Sequence, residues 1–214
     1  MVNNQPPTSD TASTVASLAT AIADIQSGQS HGGSLSAQLE WEELKLPVRE
    51  KALRLLDVRP RSVAEVRDRL DRAEFPHALI EEVIEDLTRV GLLDDERFAT
   101  LWVKQRFAIK KKSIRALDDE LRHKGVDAET RQAALAQLSS DEQEETVRTL
   151  CEKKARTVKT LPESWADKQK MLAKIVGFPA RKGFPQSLCM QYGRQALESR
   201  IAELRLELGD GEDT

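Results

Sequence analysis

The sequence predicts an all-α protein made of three tandem three-helix repeats that form an elongated, curved array. Apolar residues recur at positions i, i+3, i+4 and i+7 from Pro47 to about Leu208, which is the spacing of amphipathic helices. Only 4% of the 214 residues are aromatic and 32% are charged, so the core is made of Leu, Ala, Val and Ile, and alternating strand patterns are scarce. An internal repeat is the third observation.

The repeat is visible in the apolar positions of corresponding helices. The pattern of Ala52, Leu55 and Leu56, followed by Arg59, recurs 47 residues later and again 48 residues after that. In the second helices the offset grows to 51, with the extra residues in the loop, and the third copy is looser around the insert KTLPESWADK. Such repeats bury their apolar faces locally and against neighbours. The predicted repeats are 47–93, 94–139 and 140–206.

The two ends of the chain differ from these repeats. Residues 1–46 are predicted to be a disordered N-terminal arm, because the segment is rich in small polar residues and offers little apolar surface to bury. Residues 207–214 are predicted to be an acidic tail. In between, residues 147–206 hold thirteen bases and five acids, a net charge of +8 in a chain of −3. This uneven distribution of charge could orient the protein on a charged partner, or it could place the basic segment along phosphates.

Capping residues predict the helix boundaries in order along the chain. Two capping boxes are read at Ser62 with Glu65 and at Ser139 with Glu142. Other helix starts are predicted at Pro76, Asp94, Ser113 and Asp127, and helix stops at Gly91 and Gly125.

Pro179 interrupts the helical pattern of the third repeat. A proline inside a helix removes a backbone donor and costs about 3 kcal/mol. The middle helix of that repeat is therefore predicted to end near Val176 or to kink there.

Several function classes lack the residues they need. There is no Ser, His and Asp constellation and no GxxxxGK[ST] or GxGxxG loop, so neither an enzyme nor a nucleotide cofactor is predicted. The three histidines are too scattered to bind a metal, and a helix start explains the acidic run 94–96. No apolar stretch reaches 18 residues and no secretory signal is readable, so a cytoplasmic protein is expected.

The cysteines and the large aromatic residues are predicted to be structural. Cys151 and Cys189 lack CxxC spacing and lie in apolar patterns, which favours buried free thiols. Phe98 and Trp102 fall on a core face. The remaining tryptophans, Trp41 and Trp165, could anchor a partner or pack at an edge, and packing is the favoured interpretation.

Three stretches of the sequence resemble the RecX family of bacterial regulatory proteins, which modulate the RecA recombinase. They are REKALRLLDVRPRSVAEVRDRL, VIEDLTRVGLLDDERFATLWV and LRHKGVDAETRQAAL, and the resemblance is good over residues 48–138 and weaker to Leu197. It implies a tandem helical array that binds in the groove of the RecA filament on DNA, limits its extension and inhibits its activities. A monomer that contacts single- or double-stranded DNA through a basic stripe is also expected.

Basic side chains are the candidate contacts for such a partner. Three of them form the run 110–112 at a helix junction, where the helix dipole alone could explain them. Arg59 and Arg61 match family positions, but for Arg59 a capping or pairing role in each repeat is the favoured interpretation. The candidate residues are Arg59, Arg61, Arg106, Lys110, Lys111, Lys112, Arg115, Lys153, Lys154, Arg156, Lys159, Arg181 and Lys182.

A second function is open at this stage, a helical repeat protein that binds nucleic acid without sequence preference. Base-reading side chains at the start of a recognition helix are not evident, and stacking aromatics are scarce. Contact with phosphates would therefore be the remaining mode, and it predicts a steep dependence on salt.

Overall fold

The computed structural model describes residue 20 and residues 34–209, and this part of the chain forms nine main α-helices, one π-helical turn and no strand. The helices are α1 (Ser34–Val58), α2 (Val63–Asp71), α3 (His77–Arg89), α4 (Asp95–Gln105), α5 (Ile114–His123), α6 (Ala128–Leu135), α7 (Ser140–Ala155), α8 (Trp165–Ala180) and α9 (Gln186–Gly209). The π-helical turn, Arg106–Lys110, follows α4. Three consecutive sets of three helices confirm the all-α repeat fold.

The chain divides into two compact units, and the first contains the described residues up to Phe98 together with Lys124–Val126. Helices α1, α2 and α3 turn their apolar faces toward one another and exclude water from them, which is the main favourable term in forming this core. The core residues are Val48, Ala52, Val66, Leu70, Phe75, Leu79, Ile80, Val83, Ile84, Leu87 and Leu93.

Helix α1 begins well before the predicted start of the first repeat. Residues 34–46 are helical, which differs from the disorder predicted for 1–46. Trp41 and Leu44 continue the apolar face of Val48 and pack on the first core. The Trp41 indole Nε1 donates to Glu82 Oε2 at 2.7 Å, which confirms the packing interpretation for this residue. Most of the remaining predicted arm, residues 1–19 and 21–33, lies outside the described residues.

A buried ammonium group also holds this part of α1 in place. Lys45 is only 5% exposed, and its Nζ pairs with Glu42, with Glu82 at 3.3 Å and with Asp86 at 3.3 Å. Three carboxylates around one buried amine compensate the cost of removing its charge from water.

Truncation separates the two parts of the predicted arm. Removing residues 1–33 is expected to leave the cooperative melt intact, whereas removing 1–46 is expected to lower the free energy of unfolding by about 3 kcal/mol, since Trp41 leaves the core. Urea unfolding of the two truncated chains and of the full chain measures both effects. Equal stability of the two truncated chains would contradict this account.

The second unit contains Ala99–His123 and the described residues from Asp127 onward. Its main core lies among α7, α8 and α9. Cys151 and Cys189 are free and buried in it, as predicted. Burial raises the pKa of the Cys151 thiol to about 12, so the thiol stays protonated and unreactive. The buried residues of this core are Val147, Leu150, Cys151, Ala155, Leu172, Ile175, Val176, Phe184, Cys189, Ala196, Leu197 and Ile201.

The predicted helix caps are present. Both capping boxes form, with Ser62 and Glu65 at α2 and Ser139 and Glu142 at α7. The side chains that accept a backbone N–H at other helix starts are Asp94, Ser113 and Asp127.

The predicted end of a helix near Val176 is wrong. Helix α8 continues to Ala180, and Pro179 is buried in its last turn. The free-energy cost of a proline is greatest in the middle of a helix, where it removes a backbone hydrogen bond and its ring clashes with the preceding turn. Here the chain leaves the helix after one more residue, and the Pro179 carbonyl still accepts the Lys182 N–H at 2.9 Å.

The start of the predicted acidic tail is helical, because α9 extends to Gly209. Glu207 accepts a hydrogen bond from Arg200 Nη1 at 3.0 Å. Residues 210–214 lie outside the described part of the chain. Among the helices within residues 34–209, none has the length and apolar character needed to cross a membrane.

Candidate partner-binding surface

The same contact between successive repeats is built twice, and we call these contacts the first and second joints. In the first joint Ser62 Oγ donates to the Lys124 carbonyl at 2.6 Å. Gly125 follows with φ +73°, and a Cβ on it would lie 2.3 Å from Ala64 Cβ. Only glycine allows this approach, because both the backbone conformation and the available space exclude a side chain.

The second joint repeats this arrangement within the second unit. The Ser113 N–H donates to the Lys182 carbonyl at 3.0 Å. Gly183 has φ +89°, and a Cβ there would lie 2.6 Å from Ser113 Oγ and 2.9 Å from Ala116 Cβ. Ser62 and Ser113 are 51 residues apart, and the two glycines are 58 apart. The offset of 51 is that of the second helices in the sequence repeat, and the larger offset of 58 includes the insert KTLPESWADK.

An acidic side chain pairs with two basic groups at the first joint. Glu65 accepts hydrogen bonds from Arg59 Nη2 at 2.9 Å and from Lys124 Nζ at 2.7 Å. Burial alone would raise the pKa of Glu65, but these hydrogen bonds outweigh it and lower the pKa to about 2. The pairing role favoured for Arg59 is therefore what the structure shows at this joint.

Arg61 is also engaged inside the first unit. Its Nε donates to the Leu55 carbonyl at 2.9 Å, and the side chain is half-buried. Burial, followed by the charge of Arg59, lowers the pKa of Arg61. Both first-repeat candidates thus have structural contacts.

Replacing Glu65 tests the electrostatics of the first joint. Glu65→Gln is expected to cost about 1–3 kcal/mol of unfolding free energy near pH 7. Because the folded-state pKa lies below the ordinary value, this contribution is fully present above about pH 5 and is lost as the pH falls toward 2. Urea unfolding of both proteins at pH 7 and pH 2.5 should show the difference shrinking, and a constant difference would contradict it.

The second joint lacks the corresponding acid. The position 51 residues after Glu65 is Ala116. Lys182 Nζ donates instead to the Lys110 carbonyl at 2.6 Å. Burial lowers the pKa of Lys182, and the positive charges of Lys112, Lys110 and Lys153 lower it further. We call these four side chains, Lys110, Lys112, Lys153 and Lys182, the basic cluster.

Glu120 lies at one side of the basic cluster. Its carboxylate pairs with Lys112 Nζ at 2.5 Å and with Arg106 Nε at 3.6 Å. Burial would raise the pKa of Glu120, but hydrogen bonds from Lys112 and Trp102 outweigh it and lower the pKa. The carboxylate stays ionised and offsets only part of the positive charge.

Trp102 is half-buried beside this carboxylate, so its placement in the core is wrong. Its Nε1 donates to Glu120 Oε2 at 2.9 Å, and the Arg106 guanidinium lies 4.3 Å from the ring centroid. A half-buried indole needs a hydrogen-bond acceptor for its N–H, and at the edge of the core Glu120 is that acceptor. Phe98, by contrast, is 5% exposed and belongs to the buried residues as predicted.

The remaining candidate residues lie on the second unit but outside the basic cluster. Lys154 is half-buried, and the others are exposed: Lys111, Arg115, Arg156, Lys159 and Arg181. Arg156 and Arg181 follow the last residues of α7 and α8. The structure therefore brings together four of the predicted residues, and Lys111 is adjacent to two of them in the chain.

Two site residues were missed by sequence reasoning, and the interpretation of one tryptophan was wrong. Lys124 and Glu120 each complete an ion pair that no local spacing indicates. Trp165, favoured as edge packing, is 77% exposed at the start of α8, so that interpretation is wrong. The insert KTLPESWADK, which the repeat does not require, was the signal that could have placed it at the surface.

Sequence models of known domains match both early repeats. Residues 49–87 match the RecX first three-helix domain, and residues 94–135 match the RecX second three-helix domain. A solved structure of RecX from Lactobacillus salivarius superposes with a TM-score of 0.60 at 25% identity, covering 76% of this chain and 97% of that one.

Curated relatives extend the match over most of the chain. The regulatory protein RecX of Corynebacterium efficiens is 43% identical over 200 residues, which covers 93% of this chain and 95% of the relative. The regulatory protein RecX of Streptomyces lividans is 37% identical over 162 residues, covering 76% and 78%. From the two matched domains and this extent of identity, the chain belongs to the RecX family of regulatory proteins.

Proposed function

We propose that this protein is a non-enzymatic regulator that binds the RecA recombinase filament on DNA and inhibits its extension, its recombinase activity and its ATP turnover. Family membership supports a regulatory role, since the relatives are named regulatory proteins. The observation that supports the mode of binding is the second joint, where four lysine side chains lie near one another and Glu120, paired with Lys112, offsets only part of their charge. A monomer that acts in the cytoplasm is part of the same proposal.

The basic cluster can attract an anionic surface at long range and pair with it at contact. Lysine ammonium groups are point charges that bind phosphate or carboxylate without demanding one geometry. The mixed surface of a filament on DNA offers both groups. Arg106 is committed to Trp102 and Glu120, so it supports the cluster rather than extending it.

Inhibition would follow from occupying the filament surface. Tandem repeats offer more than one contact, and linked weak contacts raise the effective concentration of each other. A bound chain that engages neighbouring protomers would prevent the next protomer from adding productively. Inhibition below one chain per protomer is the consequence.

Titration of RecA ATP turnover on single-stranded DNA tests this proposal. The expected result is inhibition at amounts of this protein well below the amount of RecA protomers. Unchanged turnover at equimolar amounts would refute the proposal.

Nonspecific nucleic-acid binding is the second candidate function, and the lysine character of the basic cluster favours it. In that case affinity for bare DNA would fall steeply with salt and hardly depend on sequence. Loss of inhibition at the same salt concentration that releases bare DNA would favour this alternative.

A further inference from the structure

The middle repeat contains a short insertion that the repeat fold does not require. Arg59 and Ser62 are three positions apart in the first repeat, whereas the corresponding Arg106 and Ser113 are seven apart. The difference accounts for the rise of the repeat offset from 47 to 51. The first repeat makes the same connection between its helices with the shorter segment.

The insertion forms an unusual backbone. It adds the π-helical turn Arg106–Lys110 to the end of α4, and Lys111 follows with φ +52° in the left-handed region. π-Helical turns are rare in proteins, and those that occur are often found at functional sites. A left-handed conformation is unfavourable for a lysine. The fold bears both costs at a place where the first repeat avoids them.

Ile109 lies at the exposed part of this turn. Its side chain is 73% exposed, so Ile109 is not part of a hydrophobic core. Lys110 and Lys111 follow it directly and are also exposed. The result is an aliphatic side chain at the surface with cations beside it and the basic cluster nearby through Lys110.

We propose that Ile109 is an apolar anchor that enters a hydrophobic pocket bordered by carboxylates on the protein component of the filament. This inference rests on the proposed function and names the partner surface that the middle repeat contacts. Protein interfaces typically have an apolar centre surrounded by a polar rim, and a few residues at the centre supply most of the binding energy. The flanking lysines supply the charge complementarity to an acidic border.

The chemistry of the turn favours protein over nucleic acid as the contact of Ile109. Bases are bound on single strands mainly by stacking on aromatic rings, and an aliphatic side chain has no such face. The aromatic residues of the same segment are not offered for stacking, because Trp102 lies under Arg106 and Phe107 is half-buried.

The test compares full-length wild type with Ile109→Ala and Ile109→Leu on RecA filaments assembled on single-stranded DNA. Leu206→Ala is the matched control, since Leu206 is an aliphatic residue of the same unit with 70% exposure. We expect Ile109→Ala to raise the concentration for half-maximal inhibition of ATP turnover about tenfold. Ile109→Leu and Leu206→Ala should stay within about twofold of wild type, and all melts should coincide.

Affinity for bare single-stranded and duplex DNA, measured by fluorescence anisotropy, completes the test. The anchor predicts unchanged affinity for both in Ile109→Ala. Wild-type inhibition by Ile109→Ala would overturn the anchor and leave the proposed function standing. An equal loss of bare-DNA affinity would assign Ile109 to nucleic acid instead. A wild-type chain without inhibition would refute the proposed function and the anchor together.

Discussion

Reversing the charge of Lys110, Lys111 and Lys153 to Glu is expected to raise the concentration for half-maximal inhibition of RecA ATP turnover by at least about tenfold. All three side chains are exposed, so the folded structure tolerates the change. Each reversal replaces attraction to an anionic surface by repulsion, and like charges brought together at an interface cost several kcal/mol. Lys112 is kept because its pair with Glu120 supports the joint.

A control with the same change in net charge separates local from general electrostatics. Lys174, Arg194 and Arg205 are exposed cations of the same unit that belong neither to the basic cluster nor to the run 110–112. Their triple reversal to Glu should change inhibition by less than about threefold, through the weakened long-range field alone. Equal effects of the two triple variants would show that net charge, rather than the position of Lys110, Lys111 and Lys153, governs binding.

Gly183→Ala is expected to lower the free energy of unfolding by about 2–4 kcal/mol. The added Cβ would lie 2.6 Å from Ser113 Oγ and 2.9 Å from Ala116 Cβ, on a backbone with φ +89°. Backbone strain and overpacking each cost about 1–3 kcal/mol. Because the turn also places Lys182, inhibition should weaken along with stability.

Gly91→Ala is the matched control for this substitution. Gly91 has φ +71°, but a Cβ there would meet nothing within 4 Å. Its cost should therefore be only the conformational one, about 1 kcal/mol. Urea midpoints measure both variants, and equal midpoints would mean that the close approach at the second joint is not real.

Local capping chemistry made most helix boundaries predictable from the sequence. Ser62 with Glu65 and Ser139 with Glu142 specify their helix starts through bonds within four residues, so tertiary structure does not alter them. The start of α1 was missed because a proline such as Pro47 is typical of the first turn of a helix. Trp41 and Lys45 find their partners on α3, about forty residues away, and no local pattern shows such contacts.

The basic cluster was only partly predictable for the same reason. The run 110–112 and Lys182 were candidates, but they are about seventy residues apart and their meeting depends on the second joint. Comparing the repeats position by position would have shown that Ala116 replaces Glu65. Arg59 and Arg106 look equivalent in sequence, yet one pairs with Glu65 and the other with Glu120.

The relation between filament binding and bare-DNA binding tests the central claim most directly. Co-sedimentation of the wild-type chain with RecA filaments, and its anisotropy on bare single-stranded DNA, would be followed over the same series of salt concentrations. Contacts to both protein and DNA predict filament binding that persists at salt concentrations where bare DNA is released. Coincident release from filament and bare DNA, with the same slope against salt, would contradict the account and leave a protein that binds phosphates alone.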